Sequence, residues 1–346
     1  MPQADELKDR VFSILNEFYH GAPLLLAVSG GADSMAMLSV LLEAKDRFDL
    51  YCLTVDHGIR QAEESRGDAD FVFDFCQKNG IKCRIKSIPP GRVSDYSKQK
   101  GIGIEAAARH FRRRALFKEA KRIEAIKAKA VFILLAHTKD DLLETVLMRV
   151  LRGSGPAGLA AMPFQSGRIL RPLLESTRKD VISFLKEKNI AWREDSTNAD
   201  NQFLRNRIRN LLVPFLNDNF SSWKKGVNAM AQTQTLAAHF IAAEAQKRIK
   251  WEKTHCSPCH SVSSVVKKDF FSQPVIIREE AIFQAINTLC DSPSNKSIRR
   301  SVVRKFCLGL INSADLGLVT VKRQNDRILI SQAQNNCFES GISRLI

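Results

Sequence analysis

Apolar residues in the first half of the chain fall into short unbroken runs, separated by stretches in which they recur every three to four positions. The runs PLLLAV (23–28), LYCLTV (50–55), KCRIKSI (82–88) and VFILLA (131–136) read as buried strands, and segments 33–44, 62–79 and 105–128 read as helices. This alternation predicts β-α-β units around a mostly parallel sheet with helices on both faces, an α/β doubly wound fold. Such folds bind ligands where strands end and helices begin. After Arg171 and Pro172 the alternation weakens. A helix is expected over 177–189, followed by the polar segment EDSTNADNQFLRNRIRN and then Pro214. From about Phe220 long helical patterns dominate, and LVTVKRQNDRILI, with Asn325 and Asp326 at its turn, predicts a closing hairpin. We therefore expect a larger domain over 1–217 and a smaller, mainly helical domain with a terminal hairpin over 218–346.

Charge adds a partner class to this picture. With 53 Lys and Arg against 37 Asp and Glu, the formal net charge is +16, which attracts polyanions and puts nucleic acid first among partners. The longest apolar run, 130–136, is far short of the ~18 residues that a spanning helix needs, so no membrane partner is expected. The start MPQADELKDR carries acids and no apolar core of a signal peptide, which predicts a cytoplasmic location. Of the eight cysteines, only Cys256 and Cys259, followed by His260, form a C-x-x-C. That string matches haem attachment or half of a zinc site. The first needs an exported setting and the second a further Cys pair, so no metal is expected there. The other cysteines stand singly in apolar surroundings and are expected to be small buried hydrophobes.

The first strand runs straight into Ser29, Gly30, Gly31, Ala32, Asp33 and Ser34 and then a helix. Adjacent glycines let backbone approach a ligand closely, and the helix start offers unpaired N–H groups and a positive dipole end to phosphate. No Gly-Lys-Ser/Thr follows and no G-x-G-x-x-G is present, so the loop is neither of those phosphate motifs. Asp33 would repel phosphate unless a cation such as Mg²⁺ intervenes; the plainer reading is an acid favouring the first helical turn. The string S-G-G-x-D-S resembles the PP-loop of the ATP pyrophosphatase superfamily. That resemblance implies an adenine nucleotide alpha hydrolase-like fold, ATP as substrate, its cleavage to AMP and pyrophosphate, and the adenylation of an oxygen.

Further segments stand in one order: VDHGIR (55–60), EAAARHFR (105–112), AHTKDDLLET (136–145) with RGSG (152–155) behind it, EDSTN (194–198) and FLRNRIR (203–209). Over about the first 215 residues this set resembles the tRNA(Ile)-lysidine synthetase family. The resemblance implies a ligase that adenylates the C2 oxygen of the wobble cytidine in the isoleucine tRNA with anticodon CAU. Free L-lysine then attacks C2 and expels AMP, leaving lysidine. Many family members are homodimers, although no feature of this chain specifies one.

The resemblance also implies roles for residues. Glu144 lies three residues past Asp141 and shares its helical face, an arrangement that suits an ammonium ligand. The family holds the lysine substrate here, which assigns Asp141 and Glu144 to its amino group and leaves Asp140 to Mg²⁺, with Asp33, or to structure. His137 is a candidate to position phosphate or relay a proton, with a structural histidine almost equally compatible. Val55, Asp56 and His57 are expected along the adenosine, with Arg60 near phosphate. Arg112 is the candidate for stabilising the α-phosphate, because a guanidinium fork matches phosphate oxygens. Arg205, Arg207 and Arg209 are expected to contact phosphate or tRNA, and so are Arg149 and Arg152, which also suit a helix C-terminus. Two rivals remain. A PP-loop tRNA thiolase would need catalytic cysteines near the loop, and a non-catalytic, ATP-sensing RNA-binding protein would gain nothing from Asp33, Asp141 and Glu144.

Overall fold

The computed structural model describes residues 3–58, 62–194, 204–257, 260–289, 298–317 and 319–332. The chain forms two compact units, one of residues 1–154 and 161–231 and the other of 155–160 and 232–346.

In the first unit the elements run α1 (Gln3–Phe18), β1 (Leu24–Ala27), α2 (Ala32–Leu42), β2 (Leu50–Asp56), α3 (Ala62–Lys78), β3 (Lys82–Ser87), α4 (Arg92–Lys100), α5 (Ile104–Lys127), β4 (Phe132–Leu134) and α6 (Lys139–Leu151). After the short α7 (Pro156–Leu159), which belongs to the second unit, come β5 (Gln165–Ser166), β6 (Ile169–Leu170), α8 (Arg178–Glu187), α9 (Leu204–Arg207), a π-helical turn (Ile208–Leu212) and α10 (Val213–Asn219). The strand order is β3-β2-β1-β4-β6-β5, parallel throughout except at the β5–β6 pair. This is the mostly parallel, doubly wound α/β sheet that the apolar runs predict.

Period-two burial explains the layering. Leu24 and Leu26 of β1 pack with α1, α2, α3 and α8, around Leu7, Met35, Leu38, Val72 and Phe184. Leu25, with Tyr51, Leu53 and Ile133 of the flanking strands, packs on the opposite face against Leu116, Ala120 and Ile123 of α5. A strand apolar at every position is therefore one that is covered on both sides. β3 departs from the expected buried strand: it is the edge of the sheet, with Lys82, Arg84 and Lys86 exposed and Cys83 and Ile85 half-buried. Only one of its faces is covered, and charged residues on the other suit an edge.

The second unit contains α11 (Trp223–Arg248) from residue 232 onward, β7 (Glu252–Ser257), β8 (His260–Val266), α12 (Lys267–Phe271), α13 (Val275–Leu289), α14 (Arg300–Cys307), β9 (Ser313–Asp315), β10 (Val319–Gln324) and β11 (Arg327–Gln332). The expected hairpin is β10–β11, with Asn325 left-handed at φ +53° in its turn. Its strands are inner members of a five-stranded antiparallel sheet, β7-β8-β11-β10-β9, so the unit carries more strand than its apolar pattern predicts. Val321, Ile328 and Ile330 of the hairpin bury against Phe270, Ile282, Ile286 and Phe306 of the helices. The side chains of Cys256, Cys259 and His260 lie outside the described residues. Among the described residues no helix is long and apolar enough to cross a membrane.

Candidate active site

β1 and β4 are adjacent parallel strands, and the chain leaves their carboxyl ends into α2 and α6. With β2 and β3 on one side of β1 and β4 on the other, the strand order reverses here and opens a crevice. The expected phosphate loop turns in that crevice. Gly30 is left-handed at φ +81°, a conformation that an L side chain resists, and Gly31 is extended as the N-cap of α2. The Ser34 hydroxyl donates to the Gly31 carbonyl at 2.9 Å and accepts from the Ser29 N–H at 3.1 Å, and the two serine hydroxyls stand 3.3 Å apart. Ala32 and Ser34 are buried, whereas Ser29 is exposed. The loop is thus fixed from inside, and the first N–H groups of α2 stay without intrahelical partners.

Asp33 sits in the first turn of α2. Its Oδ2 accepts from Arg178 Nη1 at 2.9 Å, while its Oδ1 is buried with no hydrogen-bond partner. Burial pushes its carboxyl up to about 6, against the pull of Arg178 and with Asp141 adding to the rise. A buried, partnerless carboxylate oxygen beside a phosphate loop is the donor that a hard divalent cation requires. Asp140 is engaged differently: its Oδ2 accepts from the backbone N–H of Arg178 at 2.7 Å. One residue, Arg178, thereby ties α2, α6 and α8 together.

α6 begins with a capping box. Thr138 Oγ1 accepts from the Asp141 N–H at 3.4 Å, and Asp141 Oδ2 accepts from the Thr138 N–H at 2.8 Å. Fixed in this way, Asp141 turns its other oxygen, Oδ1, to Arg205 Nη2 at 2.5 Å, with Arg209 Nη2 at 3.5 Å. Glu144 accepts from Arg205 Nε at 3.0 Å and from Arg209 Nε and Nη2 at 2.6 and 2.9 Å. Both carboxylates are buried, and the Arg205 guanidinium is one reason that Asp141 stays below the ordinary carboxylate range despite burial. The expected same-face carboxylate pair is real. It is held by two of the three arginines expected on phosphate, while Arg207 is exposed.

More guanidiniums lie nearby, of which Arg109 and Arg112 feel the charge of Asp141. Burial holds Arg109, Arg112, Arg149 and Arg171 below the ordinary arginine value; Arg205 adds to the effect at Arg109, and Arg109 at the other three. Arg112, the expected phosphate residue, is half-buried and makes no ion pair among the described residues. His137 is pushed down to about 3 by burial, reinforced by Arg109, Arg171 and Arg205 and opposed by Asp141, so it is neutral at pH 7. Its Nδ1 is buried without a partner. Like charges crowded into a half-buried crevice favour an anionic ligand. Arg152 is exposed at the C-cap of α6. Val55 packs between α4 and α5, Asp56 Oδ1 accepts from the Gly58 N–H at 2.9 Å, and His57 is half-buried beside them. Arg60 lies outside the described residues, as do residues 195–198 of EDSTN.

Sequence reasoning missed Arg178 and Arg171. Arg178 carries a local signal, because Thr177 and Asp180 around it form a second capping box that marks a helix start. Its reach to Asp33, 145 residues away, has none.

The profile of the PP-loop domain family matches residues 4–216. A tRNA(Ile)-lysidine synthase from Treponema denticola is 40% identical over 265 residues, covering 73% of this chain and 56% of that protein. Its counterpart from Thermosipho africanus is 39% identical over 197 residues, covering 56% and 44%, and that from Clostridium acetobutylicum 30% over 276 residues, covering 79% and 57%. The chain spans about half the length of these curated relatives. Among solved structures, the U34-tRNA thiolase NcsA from Methanococcus maripaludis with its [4Fe-4S] cluster superposes with a TM-score of 0.52 at 17% identity, covering 68% of this chain and 80% of that one. That likeness concerns the fold alone.

Proposed function

Since the chain belongs to the PP-loop domain family, we propose that it is a cytoplasmic, ATP-dependent ligase that joins L-lysine to C2 of the wobble cytidine of the CAU-anticodon isoleucine tRNA. The observation that carries this reading is the pairing, in one crevice, of a phosphate loop with a buried carboxylate pair ringed by surplus guanidiniums. A pure nucleotide or RNA binder has no use for Asp141 and Glu144, whereas an enzyme that must hold both polyphosphate and an ammonium needs both kinds of charge. The relatives named tRNA(Ile)-lysidine synthase support the same choice over sulfur transfer.

In the first half-reaction the cytidine C2 oxygen attacks the α-phosphorus of ATP; an O–P bond forms, and the bond to the β-phosphate oxygen breaks. The α2 N-terminus and Ser29 bind the departing pyrophosphate, and Arg112 stabilises charge on the α-phosphate. Mg²⁺, when bound, neutralises phosphate charge; Asp33 fits it through its partnerless Oδ1, whereas Asp140 has one oxygen committed to Arg178. In the second, the neutral lysine ε-amine forms the N–C2 bond, the C2–O bond breaks to release AMP, and the nitrogen gives up a proton to solvent. Asp141 and Glu144 hold the lysine ammonium through carboxylate oxygens that also accept from Arg205 and Arg209. We assign the nucleotide chemistry to 1–217 and tRNA phosphate contacts to basic residues of 218–346, among them Lys247, Arg248, Arg299 and Arg304.

The test is direct. The protein, ATP, Mg²⁺, labelled lysine and bulk tRNA should put label into the acid-insoluble fraction, and Asp33→Ala should abolish tRNA-dependent pyrophosphate release in a folded protein. Pyrophosphate release without lysine incorporation would overturn the lysine assignment and leave adenylation standing.

A further inference from the structure

Away from the crevice the fold assembles three cysteines that the sequence scatters. Cys52 lies on β2, Cys83 is its register partner on β3, and Cys76 comes from the last turns of α3, which packs over both strands. The three are free thiols whose sulfurs all lie within 4.8 Å of one another. Cys52 and Cys76 are buried and Cys83 is half-buried. Isolated core hydrophobes, the role expected of them from sequence, need no such convergence.

We propose that Cys52, Cys76 and Cys83 form a binding site for one soft, thiophilic cation of the class of monovalent copper, held by the three sulfurs. Thiolates at about 2.3 Å around one ion stand about 4 Å apart, so the observed cluster needs to contract by less than about 1 Å. A disulfide would need two of the sulfurs to close to about 2.05 Å, a larger displacement of side chains on paired strands. No fourth His, Cys, Asp or Glu joins the three among the described residues. Structural zinc takes four ligands, whereas soft thiolates select monovalent copper and three of them complete a trigonal set. The shell around the three sulfurs is apolar, with Phe71, Val72, Phe75 and Ile81 packed in the same cluster, which keeps water from competing. Half-buried Cys83 on the edge strand gives the entry path.

The test uses the reduced, full-length chain carrying Cys256→Ser and Cys259→Ser, so that the C-x-x-C cannot contribute. Titrated anaerobically with monovalent copper against a chromophoric copper chelator, it should withhold one equivalent and develop thiolate-to-copper absorption in the ultraviolet. Adding Cys83→Ser, which alters the half-buried ligand, should weaken retention at least tenfold with an unchanged circular dichroism spectrum. Cys76→Ala should do the same, and buried Cys307→Ser in the second unit should leave retention unchanged. The proposal falls if the chelator strips all copper from the parent, if Cys83→Ser and Cys76→Ala retain it as well as the parent does, or if zinc binds in preference to copper. It also falls if thiol counting finds a disulfide within the trio and the reduced protein takes up no copper.

Discussion

Replacing Asp33 with Asn keeps the side chain's shape and removes its charge, which isolates what burial does to the phosphate loop. Burial raises this carboxyl from 3.8 to about 6, and Arg178, although 2.9 Å away, does not restore it. At about 1.4 kcal/mol per pH unit, ionised Asp33 costs the fold roughly 3 kcal/mol at pH 8. The side chain keeps 24% of its exposure, and with screening the cost is about 1–3 kcal/mol. A carboxyl whose folded value is raised holds its proton more tightly when folded, so its contribution to stability is complete below about 3.8 and is lost as pH rises through about 6. Asn does not ionise. Asp33→Asn should therefore be the more stable protein at pH 8 and melt roughly 3–10 °C higher, with the gap narrowing to about a third of that by pH 4.5. The same variant should lose Mg²⁺-dependent pyrophosphate release, trading activity for stability at one atom. Melts followed by circular dichroism from pH 4.5 to 8 decide the matter. A variant less stable at pH 8, or a gap independent of pH, would show that the bond to Arg178 outweighs burial.

Glu144→Gln removes the charge that faces Arg205 and Arg209 and leaves two half-buried guanidiniums with one carboxylate; a loss of about 2–3 kcal/mol in urea unfolding is expected. In turnover it should raise the lysine KM while adenylated tRNA still forms. Gly30→Ala meets the Asp68 carbonyl and Val72 only at 3.5 Å, which is ordinary contact, so its cost comes from φ +81° alone, roughly 1–2 kcal/mol, with weaker ATP binding by equilibrium dialysis. His137 is lowered from 6.5 to about 3, so the fold is progressively destabilised as pH falls below 6.5. His137→Gln should relieve about 2 kcal/mol of that loss at pH 5 and leave stability at pH 7.5 nearly unchanged, as compared by urea midpoints.

The sequence made local features legible and left their long-range partners hidden, and the arginines of 205–209 show why. Reading Arg205, Arg207 and Arg209 as an alternation groups three cations that the fold separates. In a helical segment residues four apart share a face and the one between them points away. Arg205 and Arg209 accordingly converge on Glu144 while Arg207 stays exposed. The carboxylate pair was readable because Asp141 and Glu144 stand three apart within one helix, a spacing that also shares a face. Its satisfaction by side chains 61 and 65 residues away was not, since no local pattern encodes a tertiary ion pair. The strands divide along the same line. β1, β4 and most of β2 are apolar and covered on both faces, whereas β3 sits at an edge and alternates exposed charged residues with half-buried ones, so its pattern follows its position in the sheet. Cys52 and Cys83 are neighbours only because β2 and β3 pair in one register, and a slip of one residue would turn one sulfur to the opposite face. Features that depend on register or on distant charge are therefore the ones for which mutagenesis carries new information, and Arg205, Arg209 and the three cysteines belong to that set.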